Sequence, residues 1–241
     1  MANTYFHFKQ FTIYQDKTPM KVCTDACILG AWAAHWLNNK NITPANILDI
    51  GTGTGLLALM MAQETAANVT AIEPGLAAYE QATENFIVSP FAERVTAIHT
   101  RLQDFITPNK FDVIIVNPPF YESDLVSPNP AINEVRHSVT LGFRELATGI
   151  GQHLSDKGFA FILIPYSRNV DLVVAMKTNG LYPVAILHIR QSTHHDFFRS
   201  ITLFSRNKEK SSTKNELVIH SDKREYTEDF TRLLKPFYLK L

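Results

Sequence analysis

Hydrophobic and polar positions follow two rhythms along this chain, and the change from one to the other predicts its elements. Residues 5–15 alternate loosely, with Phe6, Phe8, Phe11 and Ile13 apolar, as an N-terminal strand or hairpin does. Residues 26–37 read as a helix, stopped by Asn38-Asn39-Lys40-Asn41. From there short apolar runs alternate with helical stretches. Strands are predicted at 46–50, 69–73, 95–99, 112–116, 159–164, 184–188 and 200–205, and helices at 56–65, 76–88, 141–154, 169–179 and 227–234. A loop rich in Pro, Ser and Asn covers 121–133, long enough to imply a role in substrate contact, and 206–215 reads as a mobile hairpin loop. Alternating β and α units imply an α/β fold with a mainly parallel sheet and helices on both faces. No internal repeat or linker argues for a second domain.

Composition narrows the class. With 241 residues, 45% hydrophobic and 19% charged, the chain can build one substantial core and is not a disordered polymer. The longest apolar runs, such as 159–165, are far too short to cross a bilayer, and residues 1–10 lack the apolar centre of a secretion signal. The expected location is therefore the cytoplasm. Cys23 and Cys27 share one face if their segment is helical, but nothing completes a metal site, and two buried thiols are expected instead.

The net charge of zero argues against a strongly electrostatic nucleic-acid binder, yet the charge is uneven. Residues 1–167 carry 10 Lys and Arg against 15 Asp and Glu, a net of −5, while residues 168–241 carry 13 against 8, a net of +5. The basic third is either a phosphate-facing surface or an ordinary solvated one.

Two strand ends carry candidate chemistry. The first strand runs into Asp49-Ile50-Gly51-Thr52-Gly53-Thr54-Gly55 and then a helix. Glycines there permit a sharp turn and close approach of a ligand at the carboxyl end of the sheet. The dinucleotide fingerprint wants Gly or Ala where Leu56 stands, so that match is incomplete. Asp49 would repel a pyrophosphate but suits the cationic amino-acid end of S-adenosylmethionine, which favours the sulfonium cofactor over NAD. Glu73 ends the next strand, 22 positions after Gly51, where a carboxylate can accept both ribose hydroxyls of an adenosine. Gln103-Asp104-Phe105 follows the third strand. Asp104 is placed to accept from an adenine amino group with Phe105 packing nearby, or else to cap a helix.

The fourth strand ends in Asn117-Pro118-Pro119-Phe120. Two prolines remove two backbone donors and fix φ, so the carbonyls there stay unpaired and rigidly aimed. A planar NH2 is a poor nucleophile because its lone pair is delocalised. If the Asn117 side chain and the Pro118 main-chain carbonyl each accept one N–H, the nitrogen turns its lone pair toward a methyl donor, while Phe120 stacks on the target plane.

Taken together, Asp49 to Gly55, Glu73, Gln103-Asp104 and Asn117 to Phe120 resemble the class I, Rossmann-like methyltransferases of the Asn-Pro-Pro-aromatic group. Members of that group act on adenine N6, guanine N2 or glutamine N5. The block 21–32, Lys-Val-Cys-Thr-Asp-Ala-Cys-Ile-Leu-Gly-Ala-Trp, and the ending Phe237-Tyr238-Leu239-Lys240-Leu241 resemble the bacterial valine-tRNA adenine-37 N6-methyltransferase family, although Cys23 and Cys27 stand where members commonly carry Gly. The resemblance covers essentially the whole chain. It implies a seven-stranded, mainly parallel sheet in a single methyltransferase domain, with 1–45 as a strand and helix extension over the cofactor and 46–241 as the Rossmann-like core.

It also implies that S-adenosylmethionine is held by Lys21, Thr24 and Asp25 at its methionine end and by Asp49, Gly51, Thr52, Gly53, Gly55, Glu73, Gln103, Asp104 and Asn117. No metal takes part. The implied substrate is an adenosine beside a tRNA anticodon, with rRNA adenine or guanine, or a protein glutamine, as alternatives. On that substrate the 121–133 loop, Arg136 and His137 would lie at the pocket mouth, and Arg190, Arg199 and residues 206–214 could meet phosphates.

Overall fold

A computed structural model describes residues 3–18, 21–118, 142–208 and 211–241. The N-terminal hairpin pairs β1 (Tyr5–His7) with β2 (Thr12–Tyr14), as the alternation predicted. Helix α1 (Thr24–Asn39) follows. Then come β3 (Asn46–Ile50), α2 (Leu56–Glu64), β4 (Asn68–Glu73), α3 (Leu76–Ile87), β5 (Val95–His99) and β6 (Phe111–Val116). After the next described residue, Gly142, the chain forms α4 (Phe143–His153), β7 (Leu154–Pro165), α5 (Asn169–Thr178), β8 (Tyr182–Arg190), β9 (Phe197–Ser205), β10 (Thr213–Val218) and α6 (Glu228–Leu234).

Among the described residues eight strands, one more than expected, form the main sheet in the order β10-β8-β9-β7-β6-β3-β4-β5, and of these only β9 runs antiparallel to its neighbours. The extra strand is β10. Its residues fall in and just after the stretch that read as a hairpin loop, but a hairpin would have paired antiparallel with β9, whereas β10 crosses over to pair parallel with β8. Its sequence, Thr-Lys-Asn-Glu-Leu-Val, is largely exposed and has no apolar alternation, as suits an outer edge.

The central strands are apolar on both faces because both faces are covered. One core joins α1, α2, α3 and α6 to Ile47, Val113, Ile115 and Phe161, and the other joins α4 and α5 to Leu48, Ile114, Val116 and Ile162. Helix α2 is buried from Leu56 to Ala62, packed between sheet and α1, so it shows no amphipathic stripe. Arg94 closes its far end, donating to the carbonyls of Ala62, Thr65 and Ala67. Asp112 accepts the amides of Ala45 and Asn46 at 2.8 and 3.1 Å, pinning the foot of β3 to the foot of β6. Phe8 bridges to Tyr238, and Lys9 donates its amide to the Phe237 carbonyl, so the two chain ends meet. Among the described residues no helix is long and apolar enough to cross a membrane.

Candidate active site

Register brings the two candidate strand ends together. Ile50 of β3 is paired with Val116 of β6 on one side and Ile72 of β4 on the other. Gly51, Asn117 and Glu73 therefore leave or end adjacent strands at one level of the carboxyl edge. Asn117 is half-buried and Pro118 buried. Pro119 and Phe120 lie outside the described residues, as do the 121–133 loop, Arg136 and His137.

The glycine turn is shaped by backbone. Gly51 and Thr52 donate to the Ile72 carbonyl at 2.9 and 3.1 Å, and Gly51, Gly53 and Gly55 have φ of 69°, 58° and 85°. These are left-handed values that cost a side chain-bearing residue energy. A Cβ at Gly51 or Gly53 would meet nothing within 4 Å, so the turn has an open face; a Cβ at Gly55 would lie 2.4 Å from the Phe86 ring. Leu56, the residue that broke the dinucleotide fingerprint, is a buried core side chain.

Asp49 is fully buried beneath this turn. One oxygen, Oδ2, accepts from the Thr52 hydroxyl at 2.5 Å and from the Ala58 amide at 3.1 Å. Ala58 is the third residue of α2, whose N-cap Gly55 offers no side chain, so Asp49 caps this helix from a neighbouring strand. The other oxygen, Oδ1, has no hydrogen-bond partner among the described residues. Burial pushes the Asp49 carboxyl up to about 7, against the opposing pull of its bonds from Thr52 and Ala58. The expected simple ligand contact is thus divided: half of this carboxylate holds the fold and half is left unsatisfied.

Glu73 brackets the turn. Its two oxygens accept from the Gly53 and Gly75 amides, each at 2.9 Å, so the anticipated ribose acceptor also fixes the glycine loop in place. Gln103 and Asp104 lie on a 3-10 turn (Leu102–Asp104) and both are exposed. Gln103 lines a groove of about 290 Å³ against α4, its amide 3.4 Å from Glu145. Phe105 does not face this edge. It packs in the core against Phe111 and His153, ring centroids 6.3 and 5.1 Å away, because Phe111 and His153 bracket the foot of β6 and β7.

The N-terminal block is distributed among several partners. The Lys21 ammonium donates to the carbonyls of Gln15 and Thr18, Thr24 is exposed at the start of α1, and Asp25 receives Arg199 Nε at 2.8 Å. Burial pushes both thiols, half-buried Cys23 and buried Cys27, up to about 12. Among the described residues no three metal-ligating side chains gather.

The basic residues proposed for phosphates have internal work. Arg190 pairs with Glu216 at 2.9 Å, Arg199 with Asp25, and Arg206 donates to the carbonyls of Gly151 and Leu154. Sequence reasoning also missed three buried amides. Asn85 accepts the Tyr14 amide and donates to the carbonyls of Tyr14 and Thr54; Gln81 accepts the Lys17 amide; Gln15 accepts the Val22 amide. A polar residue on the inward side of α3 was the available signal, since buried amides are rare without partners.

Known proteins resemble this chain in sequence and in fold. The methyltransferase small domain family model covers residues 34–161. A Flavobacterium psychrophilum protein named tRNA1(Val) (adenine(37)-N6)-methyltransferase is 39% identical over 239 residues, 98% of this chain and 100% of its own length. One of the same name from Flavobacterium johnsoniae is 38% identical over 239 residues, with the same coverage of each chain. Among solved structures, one described as a predicted O-methyltransferase from Agrobacterium tumefaciens superposes with a TM-score of 0.66 over 88% of this chain and 96% of its own, at 17% identity, which speaks for the fold alone.

Proposed function

The chain belongs to the tRNA1(Val) (adenine(37)-N6)-methyltransferase family, and from that premise we propose that it methylates the N6 amino group of adenosine 37 in tRNA(Val), using S-adenosylmethionine. The observation that carries this reading is the pairing of Ile50 with Val116, which sets the glycine turn and Asn117 side by side.

The residues at the turn fit the cofactor. The open face over Gly51 and Gly53 leaves room for a ligand against backbone, and the unpartnered Asp49 Oδ1 beneath it is an acceptor that a nearby cationic group would ionise. Glu73 keeps lone pairs on both oxygens beyond those engaged by Gly53 and Gly75, available to a ribose diol. Exposed Asp104 accepts from an adenine amino group. When bound, S-adenosylmethionine supplies an electrophilic methyl on a sulfonium.

The acceptor side is positioning. The Asn117 side-chain oxygen and the Pro118 carbonyl take the two N–H bonds of the target amine, turning its lone pair toward the glycine turn. Alignment of this kind lowers a barrier by several kcal/mol, up to about 7–11 in well-oriented systems. No strong base is required, because the nitrogen becomes cationic and acidic on alkylation.

The test supplies labelled S-adenosylmethionine with unmodified tRNA(Val) transcript and analyses the nucleosides by mass spectrometry. N6-methyladenosine at position 37, lost in Asn117→Ala, is expected. Label confined to protein, or to another nucleoside, overturns the assignment.

A further inference from the structure

The acceptor side of the sheet carries an aromatic cluster with one exposed ring that the chemistry above does not use. Tyr166 directly follows Pro165, the last residue of β7, and is 42% exposed. Two rings back it: His188 of β8 at 5.0 Å and 80°, and Phe197 of β9 at 5.2 Å and 38°. Those two contact each other at 5.3 Å. His188 is itself fixed by a 2.8 Å hydrogen bond to the Ser200 hydroxyl. The Arg190 guanidinium lies 5.2 Å from the Phe197 ring centre, while Glu216 holds its other end. Arg168 flanks Tyr166 two residues on, against the Phe143 ring and Asp171.

A core cluster would be closed, as Phe161 and Phe204 are. This one is rigid behind and open in front, and it stands at the edge where Asn117 and Pro118 emerge. Val116 is paired with Ile162, so Tyr166 sits one strand over and about two residues above the level of Pro118. By ordinary strand spacing and rise that is on the order of 8–10 Å of backbone, the reach of a neighbouring nucleotide.

We propose that Tyr166, braced by His188 and Phe197, is a stacking platform for an unpaired RNA base flanking the target adenosine. The inference rests on the RNA reading above and deepens it. Loop nucleotides are recognised by stacking on aromatic side chains, and a ring already held by its neighbours loses little freedom on binding. Arg190 stiffens the brace from behind, held between the Phe197 ring and Glu216.

The experiment is steady-state methylation of an unmodified tRNA(Val) transcript at saturating S-adenosylmethionine, with RNA concentration varied, for wild type, Tyr166→Ala and Tyr166→Phe. Tyr166→Ala is expected to raise KM for RNA about tenfold, within the range of one lost base stack. Its kcat and its affinity for S-adenosylhomocysteine stay within about twofold of wild type, and Tyr166→Phe keeps the wild-type KM. Label transfer with an unchanged KM in Tyr166→Ala overturns the platform alone, as does equal damage in Tyr166→Phe. A change of oligomeric state in Tyr166→Ala, seen by light scattering with KM unchanged, assigns the ring to a protein contact and also overturns it. A wild type that moves no label into RNA overturns the RNA reading and the platform with it.

Discussion

Tyr14 and Thr54 are joined through a single side chain: the Asn85 amide donates to both their carbonyls at 2.8 Å. The Asn85 oxygen also takes the Tyr14 amide at 2.9 Å, so the N-terminal hairpin and the glycine turn hang from one buried group on α3. Asn85→Ala leaves three backbone groups without their partner and is expected to cost about 2–3 kcal/mol in urea unfolding, at roughly 1 kcal/mol per bond. It is also expected to weaken S-adenosylhomocysteine binding about tenfold by calorimetry, as the turn loses its anchor. A loss of stability with affinity intact shows that the hairpin and the turn are uncoupled.

Asp49 predicts a pH dependence with a definite sign. Its carboxyl is raised to about 7 by burial, whereas the unfolded chain releases that proton near the ordinary 3.8. Between those values the native state binds more protons, so this group's contribution is fully present below about pH 4 and is lost as pH rises through about 7. Urea titrations of wild type and Asp49→Asn should diverge over that interval, with the variant lacking the fall. An ammonium group placed beside Oδ1 favours the ionised form, so binding of S-adenosylhomocysteine through its amino group near pH 6.5 should release a proton. Calorimetry in buffers of different ionisation enthalpy reads this, and identical heats after buffer correction for zero protons refute it.

The last two glycines of the turn, Gly53 and Gly55, separate stability from binding. Gly55→Ala combines a φ of 85° with a Cβ 2.4 Å from Phe86, and should cost about 3 kcal/mol or more. Gly53→Ala has a φ of 58° but open space, and should cost only about 1–2 kcal/mol. Its larger effect should be on cofactor affinity, because the methyl points into the ligand's approach. Equal effects of the two on both measurements would contradict the open face.

Asp25 and Arg199 form a half-buried ion pair between the start of α1 and β9. Each of Asp25→Ala and Arg199→Ala removes a charge-assisted hydrogen bond at a half-buried site and should cost about 2 kcal/mol. A double-mutant cycle measures the coupling. Full additivity means the pair is not what holds α1 against the sheet edge.

How far the sequence could be read depended on the range of the interaction. The β3–α2–β4 unit was legible because its information is local: an apolar run, three glycines with a forced turn, an acidic residue at the next strand end. Nothing local marks β10, whose Lys214 and Glu216 lie on an exposed edge and whose paired residues in β8 stand 28 positions earlier. Phe105 was misplaced because proximity to Asp104 in sequence says nothing of direction; the 3-10 turn sends one to the surface and the other inward. Nothing local in the sequence marks Asn85, Gln81 or Gln15, and only the fold reveals that each completes the backbone of a distant segment. Arg199 could be taken for a phosphate ligand because its counter-charge lies 174 positions away.

The ladder between β3 and β6, locked at its foot by Asp112, makes donor turn and acceptor tip parts of one stiff plank. Neither end can be retuned in a descendant without disturbing the other, so that seam should be inherited nearly intact while preferences for particular nucleotides drift. Novelty would accumulate instead along the rim, in the turns beyond β7 and β8, where a side chain can be exchanged without bending the timber beneath it.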